Sequence, residues 1–324
     1  MLRTRLTAMT ALFLLAACGG GNDTPAAGNT PPPGANLKIT AENAPQAARA
    51  AYASAVDSTE MSDLGGSFPV ASGGSGGMSK ASGGVDPGGL ITVILQKIPF
   101  GPEVVPCDQS GTMTISGDIA SPFTLTQGDY FRVESAACDD GLGEVVDGIL
   151  EFTVAEFTGE LETGLYLLTL DMLLTNLQVT TPEETVTGNG DTSVTLDSQA
   201  SPFIAALVSG NSMSSTYDTG ATTLSSFSSS QTVDLGLAPS PYTIEAAGTL
   251  ESTELAGIIR YSTPVTFAGF DSGYPEAGEL LVNGDASSLR LIAVDAVNVR
   301  IEIDSNGDGE VDEVIETTWS ALVG

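Results

Sequence analysis

From Cys107 onward, apolar and polar residues alternate. Thr112-Met113-Thr114-Ile115-Ser116, Tyr130-Phe131-Arg132-Val133-Glu134 and Leu150-Glu151-Phe152-Thr153-Val154 each repeat every second residue. That period puts one apolar face and one wet face on a strand. Similar runs recur at Tyr166–Leu174, Ser193–Leu196, Thr232–Leu237, Thr243–Leu250, Ile258–Tyr261, Glu279–Val282, Ser288–Ile292 and Val297–Ile303. Gly, Asn, Asp and Pro punctuate them at roughly 8–15-residue intervals, as in an antiparallel meander. Gly-x-apolar-x-apolar openings at Gly111, Gly148 and Gly278 follow no fixed period, so no solenoid is expected. The prediction is a mainly β domain over 90–324. Its meander should form a curved sheet, barrel-like, half-barrel or folded into a two-sheet sandwich, with Asp, Glu, Thr and Ser on its solvated face.

The pattern ahead of residue 107 differs. Residues 37–64 read as a helical segment, with a helix near Ala44–Val56. Asn43 is the expected N-cap, Pro45 sits where its missing N–H does no harm, and Gln46 is placed to close a capping box. Ala47, Ala48, Ala51, Tyr52 and Ala55 give it a thin apolar stripe. Residues 65–89 are a Gly/Ser-rich linker. Leu90 to Ile98 is the most apolar run of the body; Asp86-Pro87 ahead of it favours a helix, its β-branched residues a strand. One or two short N-terminal helices are therefore expected.

At the start of the chain, Arg3 and Arg5 precede an apolar stretch from Leu6 to Ala17. Twelve residues would span only about 18 Å as a helix, against a hydrocarbon core of about 30 Å. Residues 1–17 thus read as a cleaved export signal. The stretch ends in Leu15-Ala16-Ala17-Cys18, which resembles the lipobox of bacterial lipoproteins residue for residue. The resemblance implies cleavage before Cys18, a diacylglyceryl group on its thiol and acylation of its amine. The membrane would then be reached through two or three fatty acyl chains, which anchor firmly where one holds only marginally. Gly19 after the cysteine, where Asp would retain such proteins at the inner membrane, implies the outer membrane of a Gram-negative cell. Residues 18–36 read as the lipidated cysteine and a Gly/Pro/Ala tether. The body resembles no characterised family; in texture it is similar to uncharacterised proteobacterial lipoproteins.

Composition narrows the chemistry. The chain has 10 Lys+Arg, 41 Asp+Glu and no His. Removing residues 1–17 leaves eight cations against 41 acids, a formal charge of −33. Such a field repels nucleic acid and anionic lipid, and draws cations. Without histidine, neither Ser-His-Asp nor Cys-His catalysis nor a His-containing zinc site exists within the chain. Cys107 and Cys138 remain after lipidation and suit a disulfide in an oxidising compartment; two free buried thiols are the alternative.

One motif points to a ligand. Asp304-Ser305-Asn306-Gly307-Asp308-Gly309-Glu310-Val311-Asp312 follows the first nine positions of an EF-hand-like calcium loop. Asp304, Asn306 and Asp308 offer oxygens at positions 1, 3 and 5, Glu310 its carbonyl at 7, and Asp312 a water-mediated contact at 9. Position 12 is Ile315, so the bidentate Glu is missing and affinity should be weak, about 10⁻⁴–10⁻³ M. The flanks read as strands, with Val311, Glu313, Ile315, Thr317 and Trp319 on one face. Asn306-Gly307 and Asp308-Gly309 are equally strong hairpin-turn dipeptides that need no metal. Structural Ca²⁺ and a metal-free turn both stay open.

The functional expectation is an envelope lipoprotein with a non-enzymatic binding or structural role. A carrier of apolar molecules in a β cavity is the alternative, and a hydrolase using carboxylates a third. Neither abundant carboxylates nor the Ser225–Ser230 tract, a polar strand or loop, constitutes a catalytic site.

Overall fold

The computed structural model describes residues 34–60, 101–120, 125–139, 141, 144–160, 163–182, 184–218, 220–271 and 273–323. The export signal, Cys18, most of the tether, the Gly/Ser linker and the Leu90–Ile98 run lie outside them.

A helix, α1 (Ala44–Glu60), precedes fourteen strands. These are β1 (Glu103–Pro106), β2 (Ser110–Asp118), β3 (Tyr130–Asp139), β4 (Val145–Glu160) and β5 (Leu165–Thr180). There follow β6 (Thr185–Asp197), β7 (Phe203–Tyr217), β8 (Gly220–Asp234), β9 (Pro241–Ser252) and β10 (Gly257–Phe270). The last are β11 (Ala277–Asn283), β12 (Ser288–Ala293), β13 (Asn298–Asp304) and β14 (Glu313–Thr318), before a short helix α2 (Trp319–Val323). All fourteen form one antiparallel meander in sequence order. The sheet is not closed, so it is neither a barrel nor two separate sheets. Twisting by about 20–25° per neighbour, a sheet this wide curls and acquires an inner and an outer face.

The alternation seen in the sequence sorts the faces. On β5, Tyr166, Leu168, Met172 and Leu174 are buried, and Asp171 and Leu173 between them are exposed. The strands are longer than the short runs predicted, 13–16 residues in β4 to β8. Bulges within them break the alternation and read as strand ends. In β4 the register shifts between Asp147 and Ile149, at Gly148. Gly148 has φ +107°, and a Cβ there would lie 2.2 Å from the Asn176 carbonyl oxygen, so only glycine fits. The Ser225–Ser230 tract lies within β8, with Phe227 and Ser229 turned inward.

The inner face carries α1, which touches every strand from β7 to β13. The predicted stripe faces the sheet: Ala47, Ala48, Ala51 and Ala55 are fully buried and Tyr52 nearly so. Alanine lets the helix backbone approach closely, and Ser229, 1% exposed, donates its hydroxyl to the Ala55 carbonyl at 2.9 Å. The expected capping differs. The Asn43 side chain accepts from the Thr40 amide at 2.8 Å, and Gln46 reaches across to the Glu254 carbonyl at 3.4 Å. The turn between β9 and β10 thus takes up Gln46, which a free helix would use on itself.

Trp319, expected on the last strand, instead opens α2. Fully buried, it packs on Tyr52 at 4.7 Å between ring centres, Tyr274 at 5.7 Å and Phe267 at 6.3 Å. Its indole N–H is shared between the Pro275 and Asp295 carbonyls, each at 3.2 Å. The indole therefore joins α1, β10 and the turns before β11 and β13. Trp319→Ala should cost about 3–5 kcal/mol, and Ser229→Ala about 1 kcal/mol, by urea titration. A Trp319→Ala loss below about 1 kcal/mol would remove the indole from the centre of the packing.

Candidate functional site

The candidate calcium residues lie together in the hairpin between β13 and β14, and all are solvent-accessible. Strands frame the loop, with Asn298 paired to Thr318 and Ile303 to Glu313. The oxygens meant for a cation accept hydrogen bonds from the loop itself. Asp304 accepts amides of Asn306 at 3.3 Å and Gly307 at 2.6 Å on one oxygen, and of Gly309 at 2.9 Å on the other. Asn306 Oδ1 accepts from the Asp308 amide at 2.9 Å, and Asp308 Oδ1 from Glu310 at 2.8 Å. Asp312 accepts the Ser305 amide and hydroxyl at 2.9 and 2.7 Å, and the Asn306 side-chain amide at 3.3 Å. Asp304, Asn306 and Asp312 are thus drawn together through donors between them, while Asp308 and Glu310 continue the turn. Among the described residues, no group of three or more Asp, Glu or Cys side chains converges as a metal cage.

The electrostatics follow. Desolvation is the largest single influence and pushes the Asp304 carboxyl up, but the amides of Gly309, Gly307, Asn306 and Asp308 together outweigh it and hold it below the ordinary carboxylate range. A depressed folded value means the contribution is complete above the unfolded value of about 3.9 and is lost as pH falls through the folded one. The Gly307 and Gly309 amide resonances should therefore titrate with a midpoint below about pH 3.9. A midpoint at or above it would mean the carboxylate does not hold the turn.

Cys107, in the turn after β1, and Cys138, near the end of β3, form a pair with Cα atoms 5.5 Å apart, inside the disulfide range. Met113 and Val133 bury the bridge in a small cluster of its own. The bridge ties the short edge strand β1 to β3 across β2. With a separation of 31 residues it restricts the unfolded chain by about 3–4 kcal/mol on the entropy account. Adding a reductant should lower the urea midpoint accordingly; an unchanged midpoint would show two free thiols.

The outer face over β11 to β13 carries a ladder of opposite charges. Arg290 grips Glu279 with two nitrogens at 2.7 and 2.9 Å and lies 3.8 Å from Glu302, which Arg300 meets at 2.9 Å. The two Arg290 pairs cross between strands and favour this register, while Arg300 and Glu302 pair within β13; all use acids that would otherwise repel one another. Beneath α1, Arg49, Ala53, Tyr217, Thr222, Leu250 and Glu254 line a cavity of about 70 Å³. That is room for a few waters, well below the roughly 300–1,000 Å³ of small-molecule sites. Sequence reasoning missed this cavity and the Trp319 cluster, because both depend on where α1 lands.

No protein-family model, curated protein or solved structure matches the chain.

Proposed function

We propose that this chain is a lipid-anchored envelope protein with a non-enzymatic binding or structural role, held at the outer membrane through Cys18. The observation that carries the non-carrier part is α1, whose alanine face fills the inner side of β7 to β13. A carrier needs that space for its cargo; here the chain spends it on its own helix. The absence of histidine and the pairing of outer-face carboxylates with Arg290 and Arg300 support a body without acid–base machinery.

The anchor fits the position of the chain where it joins the sheet. The Leu37 amide donates to Ile258 at 2.8 Å, and the Ile39 amide to the Ser287 hydroxyl at 2.8 Å. About 15 residues separate Cys18 from Gly34. At about 3.5 Å each, they allow the body to stand as much as about 50 Å from the bilayer. Calcium enters this reading as an accessory of the last hairpin, which already closes on its own amides.

The test is fractionation with mass spectrometry on the intact chain. Wild type should sediment with membranes and carry acyl mass on Cys18, with no co-purified apolar ligand; Cys18→Ala should accumulate as unprocessed precursor. An unmodified Cys18 in the membrane fraction, or a stoichiometric bound lipid in the body, would contradict the reading. Thermal melts in EDTA and in millimolar calcium read the accessory site. A small rise in Tm with calcium, lost in Asp304→Ala/Asp308→Ala, is expected; identical melts would leave a metal-free turn.

A further inference from the structure

The two ends of the sheet differ in chemistry. Residues 35–39 join the sheet at the end that holds the turns before β2, β4, β6, β8, β10, β12 and β14. Call this end proximal. Its turns are polar and acidic, with Asp139, Glu184, Asp218, Glu254, Asp285 and the Asp304–Asp312 loop. Of the exposed large apolar side chains among the described residues, Val311 and Val314 by the last hairpin and Val104 in the short β1 lie toward this end.

The opposite, distal end holds the turns before β3, β5, β7, β9, β11 and β13, and the apolar row occupies the last five of them. There Leu165, Phe203, Ile204, Leu235, Leu237, Phe270, Val294 and Val297 are all exposed, Leu237 at 58% and Val297 at 61%. Among the described residues, eight of the fourteen exposed large apolar side chains thus crowd one rim of the sheet. Scattered exposed apolar residues are ordinary; a row confined to one end marks an interaction surface.

The rim is built rather than loose. Ser198 donates its hydroxyl to the Gly164 carbonyl at 2.6 Å, joining the first two turns. The Leu235 amide donates to Pro202 at 3.0 Å, and the Asp271 amide to Ser240 at 3.0 Å, joining the next two pairs. Trp319 spans the last pair through Pro275 and Asp295. Asp197, Asp234 and Asp295 each accept an amide two residues on, which stiffens the individual turns. From β5 to β13 the row runs about 38 Å at the spacing of neighbouring strands.

Charge selects the occupant. Asp197, Asp234, Asp271, Glu276 and Asp295 stand among the apolar residues, and none of the described Lys or Arg lies in these five turns. An anionic bilayer would be repelled, and so would the same rim of a second copy. A protein surface with an apolar centre and Lys or Arg at its edge meets both features. The geometry points to the distal rim as the docking surface for such a partner protein, on the side of the body away from where the chain joins the sheet. This deepens the binding role proposed above and rests on it, while leaving the lipid anchor to be tested separately.

The test is photocrosslinking in the cells that make the full chain. A benzophenone side chain is placed singly at Phe203, Leu237 or Val294, and at Val311 and Asp218 as proximal controls. Rim positions should give a protein adduct at least tenfold above the controls. The attached segment, read by mass spectrometry, should combine apolar residues with Lys or Arg. Leu235→Ser with Leu237→Ser should remove the Phe203 adduct at least tenfold without changing Tm, since both side chains are exposed. Adducts to lipid, to a second copy, to a segment without Lys or Arg, or at equal yield from the controls would overturn the proposal, as would no adduct. Acyl mass on Cys18, measured in the same samples, keeps a failure of the anchor distinct from a failure of the rim.

Discussion

Burial of the apolar sheet face over β7 to β13 beneath a single helix is the constraint on which the rest depends. An antiparallel sheet this wide offers its inner face as a continuous stretch of Val, Leu, Ile and Phe, and water must be kept from it. Over β7 to β13 the chain does so with α1, using alanine where close approach matters and Tyr52 where a gap remains. Tyr52, Phe267, Tyr274 and Trp319 then close the space between helix, sheet and the C-terminal turn. The helix segment is therefore an integral part of the β body.

The strand faces were legible from the sequence because period-two alternation is a local signal. Strand lengths were not, because a bulge such as that at Gly148 resembles a boundary until the partner strand is known. The α1 stripe was read correctly from Ala47 to Ala55, yet its end contacts were not. Gln46 has the Glu254 carbonyl of the β9–β10 turn within reach, which only the folded chain supplies. Trp319 continued the alternation of Val311 to Thr317 on paper; in the fold its amide donates to Val297 at 3.0 Å and the chain turns into α2. A Cys107–Cys138 bridge was expected, with two free thiols as the alternative, and the fold brings the pair to a Cα separation of 5.5 Å. At the acidic hairpin the residue types were legible, but their partners were not. The spacing of Asp304, Asn306 and Asp308 serves amide acceptance as readily as cation binding.

The two ends of the sheet carry different chemistry. The proximal end carries the N-terminal segment, the Cys107–Cys138 bridge and the acidic hairpin, all of which restrain the chain or keep it hydrated. The distal end carries the apolar turns, stitched to one another and to Trp319. One indole thus supports both the inner packing and the spacing of the turns before β11 and β13. Substitutions inside the core should therefore be felt at the distal rim, whereas changes in the acidic hairpin should remain local.

The most direct measurement of the central claim is hydrogen exchange of α1 in the intact protein, followed by mass spectrometry. If the helix covers the sheet as an inseparable part of the core, amides over residues 48–56 should exchange only with global unfolding. Their opening free energy should match that of β8 and β10. Exchange of α1 at a lower free energy, with β8 and β10 still protected, would make the helix a detachable cover and contradict the account.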